Sequence, residues 1–98
     1  MTNLFPAKSS VGGLAFRVEY KASVERDLKK IDKQTTERLL HKLEQTLSNN
    51  PSAGEPLGGE FRSLWKYRIG DYRAIYTKIP GGILILRISH RREVYRRV

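Results

Sequence analysis

Three cations, Lys66, Arg68 and Arg73, stand in the run Leu64 to Tyr95, LWKYRIGDYRAIYTKIPGGILILRISHRREVY. Read as a strand, Leu64 to Ile69 puts Trp65, Tyr67 and Ile69 on one face, and Lys66 and Arg68 on the other about 7 Å apart. A tight turn at Gly70-Asp71 returns the chain as Tyr72 to Ile79, which brings Arg73 opposite or diagonal to Arg68. The three cations would then converge on an area that suits one phosphate. Like charges on neighbouring strands are destabilising, so a bound anion is the natural reason to keep them; the competing reading is a set of solvated surface charges. His90, Arg91, Arg92 and Tyr95, which follow the last strand, can close one end of the patch. Arg91 and Tyr95 join the three as catalytic candidates, and Arg87, His90 and Arg92 are candidate substrate-binding groups.

The chemistry open to such a set is narrow. After residue 59 the acids are Glu60, Asp71 and Glu93, too few for a two-metal nuclease. There is no cysteine, no His/Cys/carboxylate cluster at metal-ligand spacing, and no glycine-rich phosphate loop or nucleophile elbow. No metal or cofactor is expected. Transesterification of RNA fits these exclusions, because the ribose 2′-hydroxyl attacks its own 3′-phosphate and the substrate brings the nucleophile. The protein then orients the ribose, offsets charge on the phosphorane and moves protons. Arginine stays protonated, so a base has to be Lys66, its proton affinity lowered by Arg68 and Arg73, or else Tyr95 or His90. His41 reads as a surface residue of a helix.

The charge is placed where this chemistry needs it. The 98 residues carry a formal charge of +9. Residues 1–59 hold 9 basic against 7 acidic side chains, whereas residues 60–98 hold 10 against 3. A cationic field concentrated on the strands is the footprint of a phosphate-backbone or acidic-protein partner.

The remaining chain reads as scaffold. Residues 1–14, with Pro6 and Gly12-Gly13, are expected to form a poorly ordered tail, and residues 15–98 one domain. Phe16, Val18 and Tyr20 alternate with charged residues as a first strand. Val24, Leu28 and Ile31 mark a helix from about Ala22 to Ile31. Asp32-Lys33-Gln34 reads as a turn, and Thr35 or Thr36 as the cap of a second helix to about Asn49, with Leu39, Leu43 and Leu47 as its buried stripe. Asn49 to Gly59 is a loop by composition. Ile83 to Ser89, ILILRIS, is nearly all apolar and should be a central strand buried on both faces; His90 to Arg97 should be a short irregular end. The fold class is α+β: β-α-α-β-β-β, a mainly antiparallel four-stranded sheet with two helices on one face. No apolar run reaches the roughly 20 residues of a membrane helix, and no secretory h-region is present. A cytoplasmic location with no membrane partner is expected.

Three stretches resemble the RelE/ParE superfamily of toxin–antitoxin toxins, on its RelE side. They are Ser23-Val24-Glu25-Arg26-Asp27-Leu28-Lys29-Lys30-Ile31, then Trp65-Lys66-Tyr67-Arg68-Ile69 with Gly70-Asp71-Tyr72-Arg73, and Ile88-Ser89-His90-Arg91-Arg92-Glu93-Val94-Tyr95. With the element order, the likeness spans about residues 16–97. The resemblance implies an mRNA endonuclease acting in the ribosomal A site and neutralised by a RelB-like antitoxin, with operator DNA bound only through that antitoxin. It implies that Lys66 and Arg68 are the basic residues of the catalytic strand, Arg73 the phosphate-binding arginine, Arg91 the proton donor to the leaving group, and Tyr95 the residue that stacks on or orients the base. Arginine at 68 departs from the frequent lysine, and the short spacing from Arg91 to Tyr95 leaves Arg92 and His90 as alternative acids. Two other readings share the fold: a ParE-like inhibitor of DNA gyrase without ribonuclease activity, and a non-catalytic nucleic-acid or ribosome-binding module.

Overall fold

In the computed structural model, residues 16–90 are described; the expected tail and the segment after His90 lie outside them. β1 (Arg17–Tyr20) leads into α1 (Ala22–Leu28) and α2 (Lys33–Leu47). Then come the two-residue β2 (Glu55–Pro56), a 3-10 turn (Gly59–Phe61), β3 (Leu64–Ile69), β4 (Tyr72–Ile79) and β5 (Gly82–His90). The sheet order is β1-β5-β4-β3-β2. β1 runs parallel to β5 and every other pairing is antiparallel. The sheet thus has five strands where the sequence pattern suggested four. The addition is Glu55–Pro56, in a loop that Pro51, Gly54 and Pro56 make look structureless; the residue before a proline is pushed to extended backbone, and here it pairs.

The helices form where expected, with shifted ends. After Leu28, α1 tightens into i→i−3 bonds, with Lys30 N–H on Asp27 C=O at 3.2 Å and Ile31 N–H on Leu28 C=O at 3.0 Å. α2 is capped by Asp32 and not by a threonine: its Oδ2 accepts from Thr35 N–H at 2.9 Å. Aspartate is among the best caps, so the residue read as a turn starts the helix. That hydrogen bond holds the Asp32 carboxyl below the usual carboxylate range. The far end is closed by Asn49 Nδ2 donating to Gln45 C=O at 2.8 Å.

The core lies between the helices and one face of the sheet. Val24, Leu39, Leu43 and Leu47 pack on Val18, Ala74, Tyr76, Ile83, Ile85 and Ile88. Phe16, expected to join the inward face of β1, precedes the strand and stays 42% exposed. β5 is internal in the sheet as anticipated, but only one of its faces is fully buried. A bulge at Leu86, between the pairs Ile75↔Arg87 and Tyr76↔Ile85, resets the alternation. Ile83, Ile85 and Ile88 consequently all reach the helix side. The Pro80-Gly81 connection into β5 has Gly81 at φ 80, which suits the third position of a type II turn.

β1 covers only the first half of the β5 edge, from Gly82 to Ile85. Beyond it α1 takes over with side chains. Ser23 Oγ donates to Leu86 C=O at 2.7 Å. One turn later, Asp27 Oδ2 accepts from Ile88 N–H at 2.9 Å. Leu86 C=O and Ile88 N–H are thereby satisfied without a partner strand.

Candidate functional site

The open face of the sheet is built as alternation predicts. Tyr67 points to the helices, its hydroxyl donating to Thr46 Oγ1 at 3.4 Å, so Lys66 and Arg68 point the other way. Arg68 pairs directly with Arg73 across the β3–β4 hairpin. Arg68 is exposed and its Nε reaches Gly70 C=O at 3.5 Å. Arg73 is half-buried beside Ser89 of β5, with its Nε shielded from solvent. Lys66, Arg68 and Arg73 are brought to one face at the hairpin end of the sheet.

A carboxylate joins them that sequence reasoning missed. β2 pairs antiparallel with β3 so that Glu55 is directly opposite Lys66, and its Oε1 lies 3.8 Å from Lys66 Nζ. Glu55 is 77% exposed at the side chain and so remains open to a ligand. It precedes residue 59 and so belongs to the half of the chain where acids and bases nearly balance. The available signal was Glu-Pro itself, an extended dipeptide set in a long loop. The charge around Lys66 is therefore not purely cationic, as expected from Arg68 and Arg73, but includes a carboxylate in contact.

Tyr76 secures the loop that carries Glu55. Its side chain is fully buried, its ring stacks on Trp65 at 6.1 Å, and its hydroxyl donates to Pro51 C=O at 2.7 Å while accepting from Gly54 N–H at 3.1 Å. Burial pushes the Tyr76 phenol up from its ordinary value. Exposed to solvent, Lys78 Nζ donates to Ser52 Oγ at 2.6 Å and lies 4.1 Å from the centre of the Trp65 ring.

Of the expected substrate-binding groups, Arg87 shares the open face, opposite Ile75 and so in line with Lys66, and His90 does not. Arg87 makes a two-pronged ion pair with Asp27, with Nε to Oδ2 and Nη2 to Oδ1 both at 2.9 Å. Its fork is directed at α1, although the side chain stays 57% exposed. His90 pairs with Tyr72 on the helix side of the sheet, the rings edge-on at 5.2 Å. There it lines a pocket of about 230 Å³ with Tyr72, Ile88, Asp27, Lys30 and Ile31. The sheet separates His90 from the Lys66–Arg68–Arg73 face. Arg91, Arg92 and Tyr95 lie outside the described residues. Among the described residues no three His, Cys, Asp or Glu side chains gather as metal ligands, and no helix is long and apolar enough to cross a membrane.

Comparison with known proteins agrees with this architecture. Residues 18–95 match the family described as the ParE toxin of type II toxin–antitoxin systems, parDE. No curated protein is matched by sequence. Among solved structures, the RelBE2 toxin–antitoxin complex of Mycobacterium tuberculosis superposes with a TM-score of 0.72 at 28% identity, over 79% of this chain and 92% of that one. The RelB–RelE complex of Methanococcus jannaschii gives 0.61 at 18% identity over 79% and 94%, and the isolated RelE toxin of Escherichia coli 0.60 at 18% over 78% and 84%; these two share the fold. With the match running through nearly all of the folded region, the chain belongs to the ParE toxin family of type II toxin–antitoxin systems, within the RelE/ParE superfamily.

Proposed function

We propose that this toxin is a metal-independent endoribonuclease that cuts messenger RNA held on the ribosome. The observation that carries the reading is Glu55 set 3.8 Å from Lys66, on the face where Arg68 opposes Arg73. The arginines can bind a phosphate and offset a phosphorane but take no proton, and Lys66 does so only once it has lost its own. A carboxylate beside them supplies the missing acceptor. Glu55 removes the proton of the 2′-hydroxyl, the 2′-oxygen bonds to phosphorus, and the bond from phosphorus to the 5′-oxygen breaks. The products are a 2′,3′-cyclic phosphate and a 5′-hydroxyl. Lys66, Arg68 and Arg73 stabilise the charge that builds on the non-bridging oxygens. Arg91 and Tyr95 keep the roles the family resemblance implies, protonation of the leaving oxygen and orientation of the base.

The shape of this face supports dependence on the ribosome. The face that carries these groups is the open side of a sheet, and the pocket beside His90 is on its other side. In-line attack needs the ribose and phosphate held in one geometry, and message fixed in the A site brings that geometry with it. The RelBE2 and RelB–RelE structures are toxin–antitoxin complexes. Together with the +9 charge they support a RelB-like acidic antitoxin as partner, with operator DNA reached only through it, and a cytoplasmic site of action.

The second reading, inhibition of DNA gyrase, is favoured by the ParE description of the matched family. One experiment separates the two. Purified toxin is added to ribosomes programmed with a defined message, and new ends are mapped by primer extension; a gyrase supercoiling assay runs in parallel. Cuts at A-site codons, lost in Glu55→Gln and Arg73→Ala, with gyrase unaffected, are expected. Intact message with blocked supercoiling would overturn the ribonuclease reading.

A further inference from the structure

The loop bearing Glu55 is tied to the sheet beyond β2 by Leu57 N–H donating to Leu64 C=O at 2.9 Å, and ahead of it by the exposed Lys78–Ser52 contact. β2 has two residues, and one of them, Pro56, has no N–H to give. So short a strand does not fix its own register. On its Gly54 side the strand is held by the hydroxyl of Tyr76, which bridges Pro51 C=O and Gly54 N–H. Gly54 is the residue immediately before Glu55 and is wedged in the same place. A Cβ there would fall 2.5 Å from the Lys66 carbonyl oxygen and 2.8 Å from the Tyr76 hydroxyl. Glu55 is thus one bond beyond a clamp made of the Tyr76 hydroxyl on one side and the Lys66 backbone on the other. Tyr76 itself is immobilised, fully buried and stacked on Trp65.

We infer that Tyr76 is a positioning residue: acting through the Pro51–Gly54 turn, its hydroxyl sets the register in which the Glu55 carboxylate meets Lys66. The inference rests on the reading of Glu55 as the proton acceptor. Burial alone gives a different expectation, since a buried hydroxyl needs some partner whatever the site does. In that case its loss costs stability and leaves the chemistry alone.

Tyr76→Phe keeps the ring and removes only the hydroxyl. In single-turnover cleavage on ribosomes, kcat should fall on the order of 100-fold, the scale of a misplaced catalytic group, with KM little changed. Tyr76→Phe should lose the same limb of the pH–rate profile as Glu55→Gln. The double variant should be no slower than the slower single, because both changes act on one interaction. Wild-type kcat in Tyr76→Phe, or losses that multiply in the double variant, would overturn the inference. If Tyr76→Phe folds poorly, Gly54→Ala spoils the clamp from the other side and must give the same pattern. A readout independent of activity is the side-chain carboxyl resonance of Glu55. It should move when Lys66→Met removes the ammonium, and this response should vanish in a Tyr76→Phe background. Should the wild-type toxin cut no RNA, the ribonuclease reading falls, while the resonance still decides whether Tyr76 positions Glu55.

Discussion

Arg68 and Arg73 sit directly opposite each other on β3 and β4. Two guanidinium groups so placed repel, and cross-strand repulsion costs a few tenths of a kcal/mol to about 1 kcal/mol. Arg68 is exposed and makes only a long contact to Gly70, so replacing it should relieve strain without opening the core. Arg68→Ala is expected to gain about 0.5 kcal/mol in urea unfolding at low salt while losing cleavage. Inorganic phosphate should raise the melting temperature of the wild type more than that of the variant. A less stable Arg68→Ala protein would mean that the pair is not under electrostatic strain.

Asp27 should matter more to folding than its partner Arg87. It accepts both prongs of the guanidinium and also Ile88 N–H, and it is buried at 7% exposure. Asp27→Ala orphans a buried backbone donor and is expected to cost about 2 kcal/mol. Arg87→Ala should cost less, since that side chain is more than half exposed and the ion pair is partly screened. Urea midpoints of the two variants give the order, and the reverse order would show that the guanidinium carries the contact.

The cap of α2 makes stability depend on acid. The Asp32 carboxyl is held below its ordinary range, first by its hydrogen bond from Thr35 N–H. A lowered carboxyl contributes stability above the unfolded value near pH 4, and this is lost as pH falls through the folded value. The melting temperatures of the wild type and Asp32→Ala should therefore differ at pH 7 and converge toward pH 2. A gap independent of pH would exclude the charged cap as its source.

At the alkaline end the relevant group is Tyr20. Burial first, then the hydrogen bond to Glu44 Oε2 at 2.6 Å, pushes its phenol far above the ordinary value. A raised phenol contributes stability below the unfolded value, about pH 10, and that contribution is lost as pH rises through the folded value. Tyr20→Phe should cost about 2 kcal/mol at neutral pH, the scale of a hydrogen bond to a charged group, and should flatten the loss of stability above pH 10. Absorbance titration should show a phenol that ionises only as the protein unfolds; ordinary titration of every tyrosine would refute this.

Much of the fold was legible because its signals are local. The leucines of α2, the hairpin at Gly70-Asp71 and the cationic face of β3 follow from spacing alone, and the cation trio lies where alternation places it. The cap of α2 is ambiguous in the sequence because Asp32 and the threonines after it are all good capping types, and only the backbone path chooses between them. The bulge at Leu86 left no mark in ILILRIS, where every residue near the slip is apolar. His90 was expected at the cation patch, but its register with Tyr72 carries it to the helix side.

What the sequence determined alone is a basic strand face on an α+β scaffold with few acids after residue 59, because strand period and net charge need no knowledge of distant neighbours. Only the tertiary structure decided which side chains meet. Glu55 reaches Lys66 through a two-residue pairing that spans eleven positions of the chain. Arg87 is drawn to Asp27, sixty residues away. Such contacts are made by chain closure and buried hydrogen bonds such as those of Tyr76, which leave no periodic trace in the sequence.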